Sequence, residues 1–233
     1  MARSLLAVAL RLPLAIAYPF LAHWASVNDS DRLAGVALVD LALILLIGPL
    51  VQPRVWAWAL LAGCVAVIAW LVQAGVAQLP LLAPPMLFTG LLAWWFARSL
   101  RAPRQPIITT IVCALEAQPA HLLDPEILAY TRRLTALWAA VLALLCLTNG
   151  VLGLIAVPNG VLARLGHAPL VTLPQEAWSW FANFIDYGLV GGLFVAEYAY
   201  RKHRFPARPY RNFGEFLQRM AGLGPAFWQT LFR

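Results

Sequence analysis

The densest run of side chains able to do chemistry is HLLDPEILAYTRR, residues 121–133. In it His121 precedes Glu126 by the spacing of an H-x4-D/E acyltransferase motif, in which a carboxylate orients an imidazole as general base. The same run reads as a helix start, with Asp124 as N-cap and Pro125 at the first helical position. His121 and Glu126 are therefore the weak catalytic candidates. A second set of reactive types lies inside apolar sequence: Asp40, Asn149, Asn183 and Asp186. Ionisable groups at membrane depth are costly and default to functional readings. A third set is basic: Arg98, Arg101, Arg104, Arg132, Arg133, Arg201, Arg204 and Arg208, with Tyr130 and Glu197 between them. No glycine-rich phosphate loop, G-x-S-x-G elbow or HExxH occurs. Cys64, Cys113 and Cys146 stand far apart with no histidine at ligand spacing, so neither a disulfide framework, a metal site nor a cofactor is expected.

The elements that must position these residues follow from composition. Of 233 residues, 62% are hydrophobic and 12% charged, against about 25% charged in an average soluble domain. A soluble or disordered chain is excluded. A bilayer core takes about 20 mostly apolar residues per helix, and six stretches qualify: about 4–27, 33–51, 55–73, 79–97, 134–157 and 177–199. The expected fold is all-α, a polytopic membrane bundle of about six transmembrane helices forming one domain. The start MARSLLAVAL resembles a secretory signal, but Arg11, Pro13 and Pro19 and the absence of a small-x-small cleavage site make it an uncleaved first span. Prolines inside spans one and four need neighbouring helices to satisfy the freed backbone.

Net charge is +7, from 17 basic and 10 acidic residues. All the basic residues except Arg32 and Arg164 fall on one side of the six-span arrangement, which places both termini in the cytoplasm by the positive-inside rule. The localisation that follows is a bacterial inner membrane, crossed several times. The cytoplasmic pieces are then the connector 98–133 and the tail 200–233. In the connector, Ile107, Ile108, Ile111, Val112 and Leu115 have helical apolar spacing behind Pro106. In the tail, Phe213, Phe216, Leu217 and Met220 oppose Arg211, Glu215, Gln218 and Arg219, and a second aromatic stretch includes Phe227, Trp228, Leu231 and Phe232. Both read as short amphipathic helices on an anionic leaflet.

At 1.5 Å per residue, Asp40, Asn149, Asn183 and Asp186 fall about 9–14 Å from the outer ends of their helices and are expected to form one polar layer. At 100° per residue, Ser179, Asn183, Asp186, Val190 and Glu197 share a stripe on span six. Thr131, Thr135, Trp138 and Asn149 share one on span five. An antiparallel hairpin of these spans predicts a contact between Asn149 and Asn183 or a close neighbour, and brings Arg132 and Arg133 level with Glu197 and Arg201. Glu197 is expected to pair with Arg201 one turn on. Arg11 is expected to snorkel to the interface.

The segments RQPIITTIVCALE and LAYTRRLTALW, with WSWFANFIDYGLVGGLFVAEYAYRKHRFP at 178–206, resemble a family of bacterial inner-membrane proteins of aryl-polyene and xanthomonadin-type pigment clusters. The resemblance covers about 80–220 and is best at Tyr130, Thr131, Arg132, Thr135, Trp138, Trp178, Asn183, Glu197, Tyr198 and Arg201. It implies a place in synthesis or membrane handoff of a polyene-type lipid pigment, beside acyl carrier proteins and other pigment-cluster enzymes. It assigns no catalytic residue. The partners expected are a lipid bilayer and an acidic, phosphopantetheinylated carrier or an anionic lipid on the basic face, and no nucleic acid. Two other readings stay open: a small transporter or lipid flippase running past Asp40, Asn149, Asn183 and Asp186, and an acyltransferase-like membrane enzyme using 121–133.

Overall fold

The computed structural model describes residues 2–52, 54–205 and 212–231, with the side chains of 2–5 and 225 left aside. The chain is all-α. Its helices are α1 (Ala2–Val27), α2 (Asp31–Val51), α3 (Val55–Gln73), α4 (Gln78–Leu81), α5 (Ala83–Ser99), α6 (Ile107–Glu116), α7 (Pro125–Ile155), α8 (Val161–Arg164), α9 (Gln175–Trp180), α10 (Asp186–Arg204), α11 (Phe213–Gly222) and α12 (Gly224–Leu231). A 3₁₀ turn covers Ala120–Leu122, and a π turn, Phe181–Ile185, joins α9 to α10. Two-residue strands β1 (Ala156–Val157) and β2 (Leu173–Pro174) pair in parallel in the connector after α7.

Five helical segments are long and apolar enough to cross a membrane: Leu6–Val27, Asp31–Val51, Val55–Gln73, Gln78–Ser99 and Pro125–Ile155. Their outward surfaces carry large apolar side chains such as Trp24, Leu45, Trp56, Trp70 and Leu147, a surface suited to hydrocarbon and costly in water. On α3 the buried residue is Ala57 alone. The sixth predicted span, 177–199, is helical throughout but is not one of the five. It is divided by the π turn, and α10 carries Asp186, Glu197 and the basic run Arg201–Arg204. The predicted connector 98–133 is also shorter, because α7 begins at Pro125 on its Asp124 N-cap.

Backbone contacts divide the chain into two compact units, Met1–Met86 with Leu147–Gly188, and Leu87–Cys146 with Leu189–Arg233. In the first, α1 packs on α2 through Ala22, Ala25, Ala34 and Ala37. Small residues let helix backbones approach closely, which substitutes for the hydrophobic drive absent in lipid. Gly35 continues that logic, since a Cβ there would stand 2.6 Å from Val72 Cγ2 on α3. A second cluster joins Leu82, Ala156, Trp178 and Ala182. In the second unit, Ala93, Leu134, Trp138 and Leu142 form the core.

The two predicted interfacial helices pack on protein. Thr109 on α6 hydrogen-bonds Thr131 on α7 at 2.8 Å, and Ile107, Thr109 and Val112 are buried. Helix α11, capped by Asn212, lays Phe213 and Phe216 against Phe194 and Tyr198 of α10, and the Arg201 guanidinium sits 4.8 Å over the Phe216 ring. Leu217 remains exposed. Arg211, Arg208 and Phe232 lie outside the described residues.

Candidate functional site

The first constellation belongs to the unit built on α1 and α2. Asp40, Asn149, Asn183 and Asp186 are all buried. The Asn149 amide donates to Asp186 Oδ2. Asn183 turns back on its own helix, donating to the Ser179 carbonyl at 2.9 Å and to Ser179 Oγ at 3.1 Å. The contact from Asn149 to the last helical run thus forms one turn beyond the expected Asn183. The reason is the π turn: i→i+5 bonding accommodates an extra residue, so a wheel at 100° per residue loses phase across Phe181–Ile185.

Two residues join this constellation that sequence reasoning passed over. Tyr18, buried on α1, lies in electrostatic reach of Asp40 and Tyr187, and Tyr187 in reach of Asp186. His23 Nδ1 meets Ser179 Oγ at 3.0 Å while its ring packs edge-on to Trp180 and Phe184 at 4.7 and 5.2 Å. The available signal was a tyrosine and a histidine inside an apolar span. Among the described residues the Tyr18 hydroxyl, Asp40 Oδ2 and Asp186 Oδ1 have no hydrogen-bond partner. Buried polar atoms in that condition are rare and need an explanation.

The connectors of this unit are clasped together. Asn159 donates to Asp29, Arg164 donates to Asn159, and Arg164 reaches the Gly75 carbonyl at 2.8 Å. Asp31 accepts from the Gln78 backbone at 3.2 Å, and the buried Gln78 amide donates to the Ala25 carbonyl at 2.8 Å. Arg164, expected from the sequence to lie off the main basic side, has a structural use here. Arg11 is likewise committed, its Nε donating to the Ile44 carbonyl at 3.0 Å, because a neighbouring helix offers an acceptor before the interface does.

The second constellation belongs to the other unit. Tyr130 donates to Glu197 Oε1 at 2.9 Å, and Arg201 Nε stands 3.2 Å from the same oxygen, so the expected one-turn pair forms with a phenol added. Tyr130 stacks on Tyr200 at 6.0 Å and meets Phe205 at 5.2 Å. Glu126 pairs with Arg204. Arg132 donates to the Leu100 carbonyl at 3.2 Å, and Arg133 is exposed. The His121–Glu126 pairing does not form: His121 sits exposed in the 3₁₀ turn and Glu126 is taken by Arg204. Pro125 starts α7 between them, so the five-residue spacing crosses a break in the helix.

Comparison with protein-family models, with curated proteins and with solved structures finds no match. The chemistry of the site is accordingly read from its own geometry. Near the end of α5, Ser99 Oγ donates to the Phe96 carbonyl at 2.7 Å and accepts from the Ile107 backbone at 3.2 Å, tying the end of α5 to the start of α6. Arg98 lies 5.0 Å over the Trp94 ring. With Arg104 it borders a groove of about 450 Å³ that Phe227 and Leu231 of α12 also line. At the other end of α6, burial holds the Glu116 carboxyl above the ordinary carboxylate range. Among the described residues no group of three or more His, Cys, Asp or Glu side chains is placed to hold a metal.

Proposed function

We propose that the chain is a multi-pass protein of the bacterial inner membrane, with both termini in the cytoplasm, that supports synthesis or membrane handoff of an aryl-polyene or xanthomonadin-type lipid. Its basic face docks the acidic carrier protein that brings the growing chain, or the anionic lipid that receives it. The observation that carries the reading is a set of arginines: Arg98 in the last turn of α5, Arg104 in the connector after it, Arg132 and Arg133 in the first third of α7, and Arg201 and Arg204 in the last turn of α10, with Arg132 bonded to Leu100 and Arg204 to Glu126. Two of those arginines border an apolar groove. Guanidinium groups bind phosphates and carboxylates bidentately, and an apolar trough beside them suits the chain such an anion carries. The sequence resemblance at Tyr130, Arg132, Glu197 and Arg201 supplies the pigment class, and Tyr130, Glu197 and Arg201 form one bonded group.

The test is deletion of the gene followed by lipid extraction, with pull-down of purified carrier protein. Loss or alteration of pigment, together with carrier capture at low salt that fails in an R132A/R133A variant, is expected. Unaltered pigment, or no capture at low salt, overturns the reading.

A further inference from the structure

We infer that the groove between the end of α5, the start of α6 and α12 is a binding site for one anionic phospholipid of the surrounding leaflet. Its phosphate is held by Arg98 and Arg104, and its chain is laid against Trp95, Ile107, Phe227 and Leu231. This rests on the membrane placement in the preceding reading and adds the lipid class; it does not depend on the pigment.

Four features carry it. The groove is lined by two arginines and by no aspartate or glutamate, so it is complementary to an anion. Half of the remaining lining, Trp95, Ile107, Phe227 and Leu231, is aromatic or aliphatic, so an isolated phosphate would leave it exposed, whereas an amphiphile covers both parts. Finally, the site is built: buried Ser99 bonds both α5 and α6, and Arg98 is stacked on Trp94. Arg98 and Arg104 both line that trough. Tryptophan beside arginine at the end of a membrane-length helix is also the composition of the headgroup level, which sets the depth of a lipid phosphate and favours a lipid over the arm of a carrier.

The probes are phosphatidylglycerol and phosphatidylcholine of the same chains, added to the purified full-length protein in neutral detergent. Retained lipid is counted by native mass spectrometry and binding is followed by thermal unfolding. One tightly retained phosphatidylglycerol and a saturable rise in Tm are expected, with no such rise from phosphatidylcholine. The R98A/R104A variant should bind about thirtyfold more weakly, as two basic groups at an anionic surface imply, while R54A, at an exposed arginine between α2 and α3, binds as the wild type does. Should the double alanine variant not fold, Thr230→Glu, at an exposed position of the lining, sets a carboxylate in the groove and must weaken phosphatidylglycerol comparably. Equal responses to the two lipids, or undiminished binding in R98A/R104A and T230E, overturn the assignment. So does a loss in R54A as large as in R98A/R104A, or a response to pantetheine 4′-phosphate in place of the lipid. Carrier capture is read separately, so failure here with capture intact leaves the functional reading standing.

Discussion

Removing the Asn149 amide breaks a bond to Asp186 whose magnitude can be worked out beforehand. Asp186 Oδ1 already lacks a partner, and Asn149 supplies the bond to Oδ2. Both residues are buried, at 1% and 5% exposure, so little solvent replaces a lost donor. Stranding a buried acceptor costs about 1–3 kcal/mol, whereas hydrogen bonds between helices in membranes average about 0.6 kcal/mol and reach about 1.7. Asn149→Ala should therefore destabilise by about 2 kcal/mol. Asp186→Asn, which keeps an acceptor oxygen for Asn149, should cost less. In the N149A/D186A double variant the stranded carboxylate is gone, and the two losses should fall short of additive by about 1–1.5 kcal/mol. The assay is reversible unfolding in mixed detergent micelles followed by tryptophan fluorescence. A coupling below about 0.3 kcal/mol, the ordinary scatter of independent sites, would refute the reasoning, as would Asp186→Asn being the most damaging of the three changes.

Arg164→Ala removes both arginine bonds of the connector clasp; unfolding stability should drop by about 1–3 kcal/mol, and limited proteolysis between 158 and 172 should quicken. Arg164→Lys should rescue little, because one ammonium cannot reproduce a planar fork, and an unchanged cleavage rate in both variants counts against the clasp. At Glu116 the folded carboxyl titrates above its unfolded value, so the folded state holds the proton longer and stability falls as pH rises through that interval. Glu116→Gln should raise Tm at neutral pH relative to wild type and leave it unchanged at pH near 4; equal differences at both pH values speak against a buried carboxyl.

The apolar runs placed the long helices well: the span read at 55–73 coincides with α3, Val55–Gln73. Length and hydropathy decide such segments locally, without knowledge of neighbours. The α7 stripe was legible for the same reason, since Thr131, Thr135, Trp138 and Asn149 follow the helical period and all four are buried. What escaped depends on partners distant in sequence. Asp29 and Asn159 lie 130 residues apart, and nothing in the NDSD or PNG turns announces that they meet. Helices α6 and α11 have amphipathic patterns compatible with a lipid surface, yet Thr109 and Phe216 find protein first. Of the candidate site, the burial of Asp40, Asn149, Asn183 and Asp186 and the Glu197–Arg201 pair could be read from spacing. Tyr18 and His23 could not, because one aromatic in an apolar helix does not say what it faces.

The π turn at Phe181–Ile185 gives the last helical run two independent angular settings. Ser179 meets His23 before it, and Asp186 meets Asn149 after it. Removing one residue from the turn would restore α-helical pitch and swing the side chains that follow by about 100°, parting Asp186 from Asn149 while leaving Ser179 at His23. Within this helix, length is therefore a rotational variable, and substitutions and single-residue deletions probe different things: the first alters a contact, the second alters the bearing on which a whole row of contacts is taken.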